Sequence, residues 1–203
     1  FARGFTSLPT DPEAISCGFE VKTKDFVFPG ADASGYPAGS ISGTISGRTS
    51  GISPKNIVAD ISARVSAGRV RPARDVVPFD ATAELSARLE NKIVSIKRLE
   101  ADSEALGLSA RGSYDISKDY LDIDTRVRVP GLQQLGHNLG LSGIKGGEVL
   151  IEADISGRAA SPVVDAMLWA DRAGFGNTAV DRVEAKIGFL QGRLELPFLT
   201  LAA

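Results

Sequence analysis

Between Phe79 and Glu90 the sequence alternates without a break. Phe79, Ala81, Ala83, Leu85, Ala87 and Leu89 interleave with Asp80, Thr82, Glu84, Ser86, Arg88 and Glu90. Ala, Leu, Glu and Arg favour helices when taken one at a time. A helix, however, would scatter the apolar side chains around its circumference, whereas a strand sets all of them on one face. The period decides, and the segment is expected to be a strand.

The same period recurs along the chain. Ile57, Ala59, Ile61, Ala63 and Val65 alternate with polar or smaller neighbours. Leu106, Leu108, Ala110 and Tyr114 share a parity, as do Leu121, Ile123, Val127 and Val129. Val149, Ile151, Ala153 and Ile155 face away from Glu148, Glu152 and Asp154, and Val183, Ala185, Ile187 and Phe189 face away from Arg182, Glu184 and Lys186. Weaker candidates are Phe19–Phe28, Gly39–Gly47, Ile93–Ala101, Val163–Ala170 and Gly192–Leu201. The reading gives about eleven strands, many longer than the usual length. Short links such as Asn91-Lys92, Ser117-Lys118-Asp119, Gly174-Phe175-Gly176-Asn177 and Gln191-Gly192 imply an antiparallel meander, because parallel pairing needs a long crossover. Only Gly131–Gly140 reads as helical, through Leu132, Leu135 and Leu139. Residues 1–17 and 30–37 read as irregular, and no domain boundary interrupts the strand array over 1–203. A hairpin unit echoes itself: Ile41–Arg48 followed by Ser53-Pro54 is similar to Ala153–Arg158 followed by Ser161-Pro162.

An all-β sheet with one apolar face must hide that face in a second sheet, a closed barrel, a helix layer or an apolar ligand. The sequence offers no helix layer. The apolar parity is rich in Ala and short aliphatics, which fill a sandwich core poorly and leave room along a groove. A closed sandwich or a β-solenoid with a dry core, such as a structural or adhesin module, is the rival.

Several function classes recede on composition. Lys+Arg (23) nearly balance Asp+Glu (25), which disfavours phosphate-driven nucleic-acid binding. The single Cys17 precludes an internal disulfide and the single His137 precludes a multi-histidine metal cage. His137 has no nucleophile elbow or orienting acid near it and reads as a solvated loop residue. Cys17 reads as a small apolar filler. Asp115, Asp119, Asp122 and Asp124 lack the glycine and bidentate Glu of a calcium loop and read as a solvated strand face. The runs Gly43–Gly51 and Gly143–Gly147 lack the Gly-Lys-Ser/Thr of a phosphate loop. Arg64, Arg69, Arg71 and Arg74 form a basic cluster that reads as a hairpin tip. No apolar run approaches the roughly 18 residues needed to cross a bilayer. With no catalytic, metal or cofactor constellation, the chain is expected not to be an enzyme and to need no cofactor. Its start at Phe1-Ala2-Arg3 reads as a piece of a longer protein.

One ordered series carries a family resemblance. It runs Val127-Arg128-Val129-Pro130-Gly131-Leu132-Gln133-Gln134-Leu135, then Gly140-Leu141-Ser142-Gly143, then Gly147-Glu148-Val149-Leu150-Ile151-Glu152-Ala153-Asp154-Ile155-Ser156-Gly157-Arg158, then Ser161-Pro162. This resembles the TamB family, within the wider AsmA-like group of bacterial envelope proteins, best over residues 80–203. The resemblance implies a long antiparallel sheet curled into a U-shaped hydrophobic trough, a β-taco. It also implies a periplasmic protein anchored to the inner membrane by a segment outside this sequence. Its role would be phospholipid transport between the membranes and outer-membrane protein assembly with a TamA-type partner. On that reading the groove is lined by Phe79, Ala81, Ala83, Leu85, Ala87, Leu89, Leu106, Leu108, Ile123, Val127, Val149, Ile151, Ile155, Val183, Ile187 and Phe189, and holds phospholipid or another acyl-chain ligand. An open trough leaves its end strands unpaired, so end-to-end self-association is also expected.

Overall fold

The computed structural model describes residues 2–7, 16–28, 38–51, 57–71, 79–138, 143–190 and 192–202. The chain forms β1 (Ala2–Ser7), β2 (Ser16–Phe28), β3 (Ala38–Ser50), β4 (Val58–Arg71), β5 (Phe79–Glu90), β6 (Ile93–Ser103), β7 (Gly107–Asp115) and β8 (Tyr120–Val129). After helix α1 (Leu132–Asn138) come β9 (Ile144–Lys145), β10 (Glu148–Arg158), β11 (Ser161–Phe175), β12 (Thr178–Leu190) and β13 (Arg193–Ala202). All belong to one 13-stranded sheet in chain order, with only the short β9 displaced to pair with β11. Every pairing is antiparallel, as hairpin-length links require. The first and last strands do not meet, so the sheet is an open trough rather than a barrel.

The turns follow from local chemistry. Asn91 and Lys92 both take positive φ (51° and 63°), the signature of the two-residue turn whose twist matches its flanking strands. At the β7–β8 turn the Asp115 carboxylate accepts from the backbone N–H groups of Ser117 and Lys118. These bonds, with the Lys118 ammonium, hold Asp115 below the usual carboxylate range; the side-chain bond to Lys118 is the largest cause. Bulges interrupt several pairings, for instance at Thr23/Phe26 and at Ser86/Ala87, where they add bend and twist.

Two sequence expectations change. Residues 2–7, expected to be irregular, form β1 in register with β2 from Ser7↔Ser16 to Ala2↔Val21, and Ser16 and Cys17 already belong to β2. Pairing of backbone groups with a neighbouring edge needs no alternation, so a strand forms without that signal. Cys17, expected as a filler, is exposed because β2 lies near the open end of the sheet. The expected irregular segment 30–37 lies outside the described residues.

Candidate functional site: an apolar face without a second layer

Register places the apolar parity of successive strands side by side. One row runs Val21, Ile45, Ala63, Leu85, Leu99, Ala110, Thr125, Ala153, Ala166, Ile187 across β2 to β12. A parallel row runs Ala83, Ala101, Leu108, Val127, Ile151, Leu168, Ala185, Leu199 across β5 to β13. Of the expected groove residues, Ala81, Ala83, Leu85, Ala87, Leu89, Leu108, Ile123, Val127, Val149, Ile151, Ile155, Val183, Ile187 and Phe189 all fall on this one face by their pairing partners. Leu106 sits instead in the β6–β7 turn, exposed, where its carbonyl accepts from the Ser103 N–H. Phe79 starts β5 opposite Val70; its side chain lies outside the described set.

The face is half-covered rather than sealed. Among the described residues no large side chain is fully buried; the most buried apolar residues are Ala59, Ala105, Val129, Ala166, Ala170 and Ala185. A dry sandwich core would bury many large side chains completely. Four of these six lie in β8, β11 and β12, and Ala59 lies in β4. Helix α1 is tied to the sheet by the Leu132 N–H donating to the Gly147 carbonyl at 2.9 Å. Leu132 Cδ1 stands 3.1 Å from where a Gly147 Cβ would lie, and Ile144 side-chain atoms come equally close to a Cβ on Gly136. Both glycines are required by this close packing, and Gly147 also by its φ of 88°.

The opposite face is a lattice of exposed ion pairs. Arg64 Nε donates to Glu84 at 2.7 Å, Arg88 meets Asp60 at 3.2 Å, and Arg111 meets Asp124 at 3.0 Å. Arg126 binds Glu152, Arg128 meets Glu148 at 2.7 Å, and Lys186 meets Asp165 at 2.9 Å. Glu84 and Glu100 are direct cross-strand neighbours, and Arg98 bridges them. The pairs tie neighbouring strands together and offset the like charges that the register sets opposite one another, as at Glu84 and Glu100 or Asp124 and Asp154. Two shallow concavities, of about 800 and 1150 Å³, lie on this charged face. Lined by Arg98, Arg111, Arg126, Asp124 and Glu152 among others, the first is suited to water and ions rather than to acyl chains.

The remaining sequence candidates resolve simply. Asp119 accepts from the Tyr114 hydroxyl at 2.9 Å, which raises the Tyr114 pKa, and Asp124 is held by Arg111. Among the described residues no cluster of His, Cys, Asp or Glu is arranged for a metal ion. Arg64 is the member of the basic cluster with a described partner, Glu84. Sequence reasoning missed an apolar island on the charged face: Leu150 opposite Trp169, and Met167 in line with Lys186 and Phe198. Its signal was the run Met167-Leu168-Trp169, where both parities become apolar.

Taken together, the architecture defines a single-layer, open antiparallel β-sheet with one apolar and one ion-paired face. Comparison with family models, with curated proteins and with solved structures finds no match.

Proposed function

We propose that this chain is a lipid-handling segment of a TamB-like periplasmic protein, conducting phospholipid along its apolar face between the inner and outer membranes. In the whole protein, which a segment outside this sequence would anchor to the inner membrane, the same groove supports outer-membrane protein (autotransporter) assembly with a TamA-type partner. The chain acts without catalysis. The observation that carries this reading is the apolar face, running across nine pairings from β2 to β12 with no second layer over it among the described residues. Burying each acyl CH₂ on that face is worth about 0.8 kcal/mol, and headgroups stay in water at the open rim. The rival reading, a sealed sandwich or solenoid, needs fully buried large side chains, and none occurs among the described residues.

The test is photo-crosslinking. A photoreactive residue at Leu85 or Ile151, on the apolar face, captures phospholipid in cells; one at Glu84 or Glu152, on the ion-paired face, does not. Native mass spectrometry of the purified chain then identifies the co-purified lipid. Equal capture from both faces, or none from the apolar face, overturns the proposal.

A further inference from the structure

The strand that follows α1 is broken without losing its register. Lys145 of β9 pairs with Gly174 and Glu148 of β10 pairs with Asp171, so the two strands count along β11 as one. The interruption is Gly146-Gly147, at φ 58° and 88°, and Arg172 beside them on β11 takes φ 53°. A Cβ on Gly146 would stand 3.1 Å from the Arg172 carbonyl oxygen. Glycine adopts this left-handed region freely, whereas an arginine does so against the crowding of its own Cβ. Residues held in this way cluster at ligand-binding sites.

Arg172 lines an open cavity of about 770 Å³ at the break, together with Gln133, Gln134 and His137 of α1, Glu148 and the glycine backbone. That volume lies in the range of small-molecule sites. Gln133, Gln134, His137 and Arg172 are exposed, and none has a side-chain hydrogen bond or ion pair to another described residue. The concavity on the ion-paired face differs, because there Arg98, Arg111 and Arg126 each meet a carboxylate. Glu148, the acid in the α1 cavity, is already engaged by Arg128 at 2.7 Å. One positive charge is left unanswered among polar groups.

We propose that this cavity binds a phosphodiester of a small polyol, with the Arg172 guanidinium taking two phosphate oxygens and the Gln133 and Gln134 amides meeting its hydroxyl groups. A guanidinium fork matches the oxygens of a phosphate or a carboxylate. Amides both donate and accept, as hydroxyl groups require. Of the two oxyanions, phosphate is the one the lipid reading supplies, as a headgroup, and to that extent the inference rests on that reading. A deacylated headgroup offers the same chemistry without acyl chains.

His137 is the only histidine in the sequence, so its imidazole proton signals report on this cavity alone. Glycerophosphoglycerol, and dihexanoyl phosphatidylglycerol below its micelle concentration, are each expected to shift those signals saturably, and glycerate is not. Arg172→Asn, with Arg172→Gly as a second variant, puts a residue at ease in the left-handed region. Both variants are expected to keep the β circular-dichroism spectrum and bind about tenfold or more weakly. Arg48→Asn, on β3, is expected to bind as the parent does. Saturation by glycerophosphoglycerol alone would keep the site and assign it to soluble phosphodiesters instead of lipid. Lipid capture at Leu85 and Ile151 with neither titration altered by the Arg172 variants would remove the site and leave the lipid reading standing. No saturable shift with either phosphodiester, or glycerate binding as tightly, would also overturn the proposal.

Discussion

The strands near the N-terminus and those near α1 carry the same alternation but cover it differently. Ile45 and Ile61, in β3 and β4, are 43% and 41% exposed, whereas Val129 and Ala185, in β8 and β12, are 6% and 4% exposed. The difference lies in the neighbours. In β3 the apolar parity carries Gly43, Gly47 and Thr49, so Ile61 faces a glycine with no side chain of its own and the Phe19 ring leans over that glycine instead. Around β10 the parity is filled on both sides: Ile151 lies between Val127 and Leu168, and Ile155 between Ile123 and Val164. Lateral packing within one layer therefore replaces a second sheet.

The largest effect separating the two regions concerns glycine. Gly112 in β7 has φ 149°, and a Cβ there would stand 2.1 Å from the Asp122 carbonyl oxygen and 2.6 Å from Ile123 Cα. Both obstacles are backbone of the neighbouring strand, which can move only by breaking the β7–β8 pairing. Gly112→Ala is expected to cost about 2–3 kcal/mol in denaturant unfolding. At Gly47 in β3 the obstacle is the Phe19 ring, 2.4 Å away, on an exposed side chain that can swing into water. Gly47→Ala is expected to cost less than about 0.5 kcal/mol. Equal losses at the two sites would mean that the N-terminal strands are as tightly built as the centre.

A charge on the apolar face gives the next effect. Ile151→Arg removes lateral contacts to Val127 and Leu168, yet an open face lets the guanidinium reach water along its own stem. The expected cost is about 1–2 kcal/mol with folding retained and lipid capture lost, while Ile45→Arg changes stability by less than about 0.5 kcal/mol. Circular dichroism, unfolding curves and crosslinking read the three quantities. Unfolding of the Ile151→Arg chain would instead point to a sealed core.

Much of this architecture was legible because alternation survives wherever one face is apolar. The bounds of β5 follow the unbroken run from Phe79 to Glu90, and each of the expected strands from Phe19 to Leu201 has its counterpart. What escaped was structure imposed from outside the segment. β1 forms because the β2 edge offers partners, and β9 because the kink at Gly146 and Gly147 swings Ile144 and Lys145 beyond β10 onto Phe175 and Gly174. The placement of Leu106 in a turn escaped for a related reason: parity counts positions along a strand but does not mark where the strand begins. The apolar island at Leu150, Met167 and Trp169 was hidden by the expectation that a second parity is always polar.

The smallest effect sets the ion pairs of the two regions against each other. Glu84 accepts a hydrogen bond from Arg64, and this bond, followed by the charges of Arg64 and Arg98, holds its carboxyl below the usual range. A carboxylate whose pKa is lowered on folding contributes stability above the ordinary carboxylate range and loses it as pH falls through the lowered value. Asp115, lowered chiefly by its bond to Lys118, follows the same sign at the β7–β8 turn. Arg64 and Lys118 are exposed while Glu84 and Asp115 are half-buried, so added salt should weaken the pairing of Glu84 with Arg64 and of Asp115 with Lys118 only in part. Amide hydrogen exchange at about pH 6 and about pH 3 is expected to show β4–β5 opening more readily in acid. Glu84→Gln should abolish most of that acid dependence there and leave the β7–β8 turn unchanged. Loss of acid dependence at both places would show that the two regions respond as one cooperative unit, and that the ion-paired face couples across strands rather than locking each register separately.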